Sequence, residues 1–375
     1  GLFRFVDSRV KELLLNDLSK IRRSRYHQKI AEAMEKIYAS DLNKAAERIA
    51  SHAYEGGDAG RATRFSIIAG DNNKAIHAYE QAVTDYRRAL ELIDLEEGGD
   101  EEKAGVMEKL AECYNIAGEL EQGAQCHKEA LTIFEKLHDS KACARACIGL
   151  ARTIFGSRWA GGVPEAAQVL KRGLKYLEEK GQTESFEAAS IYSDLANYYG
   201  LMDEWDEANE WCERACEVGE KTKNFGAVAG GLAMRGSFLT DTGRIDEGLP
   251  LWERAIDIAL QHETYEYAPN YLVNLSMYTY PRSLPKAREL ILRQLDLCKR
   301  VNYIAGQAEG WGFLSILDWY KGDWAAAMEE SQRALEIHDR LGLALPWLFF
   351  ARGWLFLSMG ELERAETDIQ EAVSL

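Results

Sequence analysis

Proline is scarce in this chain, with 6 among 375 residues, so long stretches are free to be helical. Positive charge is in deficit: 45 Lys and Arg face 61 Asp and Glu, giving a formal net charge of −16 and a pI near 5.1. A surface of that sign repels a phosphate backbone, so direct nucleic-acid binding is not expected. No apolar run approaches the roughly 18–20 residues of a membrane span, and the charges mixed through the first positions exclude a signal-peptide pattern. The 7 cysteines form no even framework of short spacings. Cys143 and Cys147 share a helix face at i,i+4, as do Cys212 and Cys216, and both pairs read as small packing residues without a matching histidine pair. His127 beside Cys126 is isolated, so no metal site is expected. Free thiols fit a reducing, cytoplasmic compartment.

Catalytic signatures are missing as well. Gly98-Gly99 and Gly161-Gly162 lack the lysine and the preceding strand of a phosphate loop. No His-Glu-x-x-His, nucleophile elbow or cysteine–histidine arrangement appears, and Glu101-Glu102 lies in a solvated turn. The chain is expected to be non-enzymatic, with no catalytic residues and no cofactor of its own.

What the sequence has in abundance is a period. Small residues recur at Gly123, Ala166, Ala208, Gly248, Ala287, Ala327 and Ala365, with gaps of 43, 42, 40, 39, 40 and 38. Seven positions after each stands Ala130, Gly173, Ala215, Ala255, Gln294, Ala334 or Ala372. Seven residues are about two helical turns, so each pair lies on one helix face, where small side chains admit a second helix. Residues 189–221 show the unit most clearly. Ile191, Leu195, Tyr198 and Tyr199 face one way on a first helix; Gly200 and Asp203 break it; Trp205 opens a second, carrying Ala208, Cys212, Ala215 and Val218. Gly118, Gly243, Gly322 and Gly360 recur at the same turn, where glycine supplies the left-handed end of a helix. Trp205 and Trp324 then plug the turns. A period near 40 marks a stacked array of helical hairpins. Seven hairpins cover residues 103–375, more helix fills 42–102, and the polar tract 95–102 is the candidate boundary between them.

This pattern resembles the tetratricopeptide repeat in a longer, forty-residue variety, over roughly residues 42–375. The resemblance implies an all-α, right-handed superhelix of about eight to nine hairpins. Two turns depart from it: residues 155–163 run about three residues long, and residues 278–285 use prolines in place of glycine. Residues 1–41 stand outside the repeat. Phe3-Arg-Phe5, Leu13-Leu14-Leu15, Arg22-Arg23, Tyr26-His27 and Ile30-Ala31 resemble the tail of the winged-helix module in signal-transduction ATPases with numerous domains, the class of the maltose-regulator-like transcriptional activators. Asp7 stands where that family places a histidine. The far end carries apolar Ile369, Ala372, Val373 and Leu375 without a polar cap, so the chain is expected to be the C-terminal arm of a longer protein. The resemblance implies a sensor arm that binds a small-molecule inducer or a regulatory protein or peptide and signals to an upstream ATPase domain. The alternative is a scaffold that holds a peptide or helix in its groove.

In such an array the first helices line the concave face. Periodicity then turns Glu112, Asn115, Arg145, Arg152, Ser193, Asn197, Ser237, Thr240, Ser276, Trp319, Trp347 and Trp354 toward the groove. Asn115, Arg145, Arg152, Asn197 and Ser237 are the candidate ligand contacts, joined by Arg158 and Trp159 on the long turn. Arg145 and Arg152 offer guanidinium groups to a phosphate or carboxylate, unless neighbouring glutamates already offset them. Trp319, Trp347 and Trp354 suit partner contact or self-association. Of Tyr265, Tyr267, Tyr271, Tyr278 and Tyr280, at least two are expected in the core. The lysines of a peptide-carboxylate clamp are absent from Glu112, Arg152, Asn197 and Ser237.

Overall fold

The computed structural model describes residues 19–95, 99–265, 267–341 and 345–374, without the side chains of residues 158–160. The motif at residues 3–15 lies outside the described residues, as do the side chains of Arg158 and Trp159. Among the described residues there are 18 α-helices and no strands, with short 3-10 turns at Leu42–Ala45 and Trp159–Gly162. They pack as two compact units, one of residues 19–117 with 125–137, the other of residues 118–124 with 138–374. The expected boundary at 95–102 thus falls inside the first unit.

The first unit holds α1 (Lys20–Ile37), α2 (Ala46–Gly56), α3 (Ala59–Ala75), α4 (Tyr79–Leu95), α5 (Asp100–Ala117) and most of α6 (Leu120–Lys136). Residues 20–37, set apart from the repeats on sequence, pack directly on α2. A Cβ on Gly56 would lie 2.8 Å from Gln28 Cγ, and the side chains of Ser24 and Gln28 both donate to the Gly56 carbonyl, at 2.7 and 2.8 Å. Ala31, Ile49, Ala50, Ala53 and Phe65 form the core beneath. Next to it the buried Tyr86 ring fills the space over Gly70, where a Cβ would meet it at 2.6 Å, and its hydroxyl donates to Asp71.

The second unit is a run of hairpins. Its first helices are α7 (Ser140–Arg158), α9 (Phe186–Leu201), α11 (Phe225–Asp241), α13 (Ala268–Thr279), α15 (Ile304–Lys321) and α17 (Pro346–Met359). Its second helices are α8 (Val163–Glu178), α10 (Trp205–Thr222), α12 (Ile245–Gln261), α14 (Leu284–Arg300), α16 (Trp324–Leu341) and α18 (Leu362–Ser374). Successive first helices touch directly in the pairs α7–α9, α9–α11, α13–α15 and α15–α17, which makes them the inner layer of this unit.

Every member of the small-residue series is buried, from Gly123 and Ala130 to Ala365 and Ala372. The helices meet at these points, and dispersion and apolar burial hold them there. Gln294 breaks the pattern without breaking the contact. It faces Gly306 and Gly310 of α15: a Cβ on Gly310 would collide with the Gln294 amide and lie 2.7 Å from Leu295, and Gln294 Nε2 donates to the Gly306 carbonyl at 2.8 Å. Gly310 on the facing helix makes the room that an alanine at 294 would have left, and the Gly306 carbonyl takes up the amide.

The turns follow the expected chemistry at Gly118, Gly243, Gly322 and Gly360, with φ of 80–85°. At residues 278–285 the Ser283 hydroxyl caps α14 by accepting from Lys286 N–H, with Pro285 in its first turn. Three readings are corrected. Gly200 does not end its helix; α9 runs to Leu201, Gly200 is buried against Met234 and Trp205, and Asp203 takes the left-handed turn with φ 60°. The long segment after Ile154 is not an open loop, because α7 continues to Arg158 and passes through a 3-10 turn into α8. Trp205 does plug its turn against Phe238, but Trp324 is 42% exposed.

Between α14, α15 and α16 lies a buried acid pair. Arg288 donates to both oxygens of Asp318, while Glu330 Oε2 is buried without a partner. Burial first, then the Asp318 charge, raises the Glu330 carboxyl far above the usual carboxylate range. The folded state therefore holds a proton that the unfolded chain releases, so this residue's contribution to stability is lost as pH rises. Urea midpoints of the wild type are expected to fall between about pH 5 and 8, and those of Glu330→Gln to fall less.

A close contact of one helix with the backbone of another generates a second prediction. A Cβ on Gly248 would lie 2.6 Å from Thr240 Cγ2 and 2.7 Å from the Gly236 carbonyl oxygen, whereas one on Gly105 meets nothing within 4 Å. Both glycines are helical, so alanine brings each a propensity gain of about 1 kcal/mol at most. Overpacking of about 1–3 kcal/mol outweighs it only at Gly248. Chemical denaturation should show Gly248→Ala destabilised and Gly105→Ala stabilised by about 0.5–1 kcal/mol.

Candidate functional site

The inner layer of the second unit carries a chain of charge pairs one repeat apart. Arg152 of α7 donates through Nε to Asp194 Oδ2 of α9 at 2.7 Å, and through Nη2 to Oδ1 at 3.3 Å. The Arg145 guanidinium lies 3.7 Å from Glu187 on the same two helices. The two arginines seven residues apart on α7 thus meet two acids seven residues apart on α9. Neither presents an unopposed charge to a phosphate or carboxylate. Tyr267 completes the group: its hydroxyl donates to Asp194 at 3.3 Å, and the Arg152 guanidinium sits 5.3 Å from its ring centroid.

Beside this group opens a cavity of about 330 Å³. Its walls come from Arg152, from Phe186, Ser190 and Ser193 at the start of α9, from Tyr265 and Tyr267 in the segment before α13, and from Tyr271 on α13. Its floor is the start of α11, where Gly226, Ala227 and Ala229 carry little or no side chain. Gly230 lies next to that floor, and a Cβ there would collide with the Ser193 hydroxyl and lie 3.5 Å from the Tyr271 hydroxyl. The small-residue run of α11 is what lets α9 and the tyrosines close over it. Asn224 fixes that helix start, donating to the Phe186 carbonyl and the Ser190 hydroxyl and accepting from Ala227 N–H. The result is a largely aromatic recess with Glu263 and Thr264 at one side. Such a recess suits an apolar or flat group rather than a phosphate.

Of the candidate groove residues, Arg152 and Ser193 line this cavity, and of the five tyrosines singled out on sequence Tyr265, Tyr267 and Tyr271 do. Arg145, Asn197 and Ser237 sit elsewhere on the inner helices; Ser237 donates to Asp241 at 3.4 Å. Asn115 belongs to α5 of the first unit and is half-buried. Glu112, also on α5, is an ion-pair partner of Lys74. Thr240 and Ser276 are corrected: both are buried toward second helices, Thr240 against Gly248 and Ser276 donating to the Ala287 carbonyl of α14. Among the five tyrosines only Tyr271 is buried, while Tyr265, Tyr267 and Tyr278 pack at the edge of its cluster. Trp319 donates to Ser358 at 2.9 Å, and Trp347 packs on Phe313 with ring centroids 4.7 Å apart. Trp354 is 56% exposed, and with Phe350 and Leu357 it forms an apolar strip on α17.

Periodicity missed Phe186, Gly226, Glu263 and Thr264, because the first two lie at helix starts and the others between helices. The readable signal was the run Phe225-Gly-Ala-Val-Ala-Gly-Gly231. The paired cysteines pack as small hydrophobes, with a Cβ on Gly173 only 2.9 Å from Cys147 Cβ. Burial pushes the Cys212 thiol up to about 12. No cluster of three or more metal-ligating side chains occurs among the described residues.

Comparison with known proteins gives the same fold. A family model described as tetratricopeptide repeat matches residues 188–222, which span α9 and α10. No curated protein matches the sequence. Among solved structures, a Rap protein complexed with competence and sporulation factor has a TM-score of 0.59 at 15% identity, covering 85% of this chain and 97% of that one. The Rap conjugation gene regulator of plasmid pLS20, in complex with the Phr* peptide, has a TM-score of 0.58 at 15% identity and covers 78% and 76%. The apo form of RapI has 0.56 at 16%, covering 75% and 98%. The chain is a tetratricopeptide-like helical-repeat protein.

Asp194 is 5% exposed and depends on Arg152 for its counter-charge. Removing one partner of a fully buried pair costs about 3–5 kcal/mol. Arg152 is 27% exposed, so Arg152→Ala is expected to cost somewhat less, about 2–3 kcal/mol. A double-mutant cycle with Asp194→Leu should recover part of that loss, measured by urea unfolding.

Proposed function

We propose that this chain is a non-catalytic sensor module that receives an extended peptide, or a segment of a protein partner, along the first helices of its second unit. The aromatic cavity beside Arg152 is the anchor point. That cavity carries the reading: it is open at the inner layer and draws its walls from several consecutive hairpins, so a segment lying across the repeats reaches it. Similarity to two structures described with a bound peptide or factor supports the same choice over a sugar-sized or nucleotide inducer. The charge pairs already made by Arg145 and Arg152 weigh against an anionic small molecule.

The regulatory part of the proposal rests on the N-terminal resemblance and on one contact. Helix α1 is packed firmly on α2, which gives whatever precedes it a rigid attachment to the repeats. An upstream ATPase domain would be coupled through that attachment. The exposed strip of Phe350, Trp354 and Leu357 suits a partner or a second copy. A ligand shifts such a module only by binding its two states unequally.

The test uses a side chain that fills the cavity without straining the fold. A Cβ on Gly226 would meet its nearest atom at 3.6 Å, so Gly226→Leu projects into the recess at little structural cost. Hexapeptides selected on the wild type from a random library are expected to bind Gly226→Leu at least about tenfold more weakly, a loss of about 1.4 kcal/mol, at unchanged melting temperature. Equal binding to both proteins would remove the cavity from the site. Stabilisation by sugars or nucleotides, with no peptide selected, would replace the peptide reading by a small-molecule inducer.

A further inference from the structure

On the inner layer of the second unit, Glu309 is a half-buried carboxylate to which no lysine or arginine among the described residues gives a counter-charge. Glu309 lies on α15, nine residues before Asp318, and at 100° per residue the two point to opposite sides of the helix. Asp318 faces Arg288 of α14 and Glu330 of α16, so Glu309 lies on the side of α15 opposite those two residues. The repeat register gives the same direction. Glu309 stands thirteen residues before the left-handed Gly322, as Gly230 stands thirteen before the left-handed Gly243. Gly230 adjoins the cavity between Ser193 and Tyr271. A side chain at this register therefore projects from the ligand-facing side of its helix.

Glu309 is half-buried, yet no lysine or arginine among the described residues pairs with it. The titratable groups that sense its charge are Cys298 of α14 and Tyr303 just before α15, both neutral. No charged group of α13 or α17 shifts its titration. The other carboxylates of the first helices that are at least half-buried are matched: Glu187 by Arg145, Asp194 by Arg152 and Asp318 by Arg288. A half-buried acid without a cation costs desolvation energy that nothing in the fold returns. Resting on the peptide-binding reading above, we propose that Glu309 is the receptor for a cationic group of the bound segment, an ammonium or guanidinium.

Burial pushes the Glu309 carboxyl up to about 7 in the unliganded protein. A cation prefers the ionised form, so binding should release a proton and strengthen with rising pH. The probe is N-acetyl-tetralysine amide, whose own amines stay charged across this range, with N-acetyl-tetraserine amide as the neutral reference. Calorimetry on the wild type is expected to show about tenfold tighter tetralysine binding at pH 8 than at pH 6. At pH 6 it should also show proton release in buffers of different ionisation enthalpy. Glu309→Gln should abolish both effects, while Glu363→Gln, which removes an equal charge from α18, should keep them. Identical pH dependence in Glu309→Gln, or equal effects of the two substitutions, would overturn the assignment. If library-selected peptides still lose affinity on Gly226→Leu in that case, the cavity reading survives alone. If no peptide of any composition binds, the cavity reading fails with it.

Discussion

The contact on which the structure depends is the close approach of two helices at small residues placed seven apart. Alanine and glycine at Ala166 and Gly173, Ala208 and Ala215, or Gly248 and Ala255 leave nothing between the helix surfaces but van der Waals contact. Each hairpin is closed there, and its remaining apolar face is left for the next hairpin. The tolerance of this contact is small. Where α11 and α12 approach most closely, even a methyl group on Gly248 would reach the opposing backbone. Where Gln294 intrudes, α15 gives way with Gly310. The constraint is therefore a property of facing pairs of residues, not of either position alone.

Once the hairpins are closed, polar side chains lock one repeat to the next. The partners lie about one repeat apart in sequence: Arg152 with Asp194, Arg145 with Glu187, Tyr278 with Asp241, and Lys109 with Asp71 in the first unit. Asn224 does the same through neutral groups, reaching Phe186 and Ser190. These bonds use up the polar groups of the inner layer, and arginines that look like ligand hooks in the sequence become structural. What they leave is an aromatic recess over a glycine- and alanine-rich helix, and the half-buried carboxyl of Glu309 without a cation among the described residues. The proposed binding site is built from those leftovers, groups that make no bond needed by the fold.

The repeat was legible because its determinants are local and periodic. Helix faces, left-handed glycines and the small-residue series all repeat at fixed spacing, and each can be read without knowing its partner. Three local readings fail against tertiary contacts. Gly200 was read as a breaker because glycine commonly ends helices, but here Trp205 and Met234 bury it and Asp203 makes the turn. Thr240 and Ser276 were assigned to the groove by helical phase, yet each satisfies its hydroxyl within or across the hairpin and packs toward a second helix. A phase error of one residue is about 100°, enough to exchange inner and buried faces.

The sequence by itself determined the all-helical class, the hairpin period and the helix faces that close each hairpin, because these follow from spacing along one chain. It also determined the formal net charge of −16. Only the tertiary structure decided which charges are spent. Arg152 and Asp194 are 42 residues apart, and Tyr267 joins them from a further 73 residues beyond Asp194. No local pattern announces a partner at such distances. The same holds for the cavity, whose walls come from α7, α9, α11 and α13 and exist only when those helices are brought side by side.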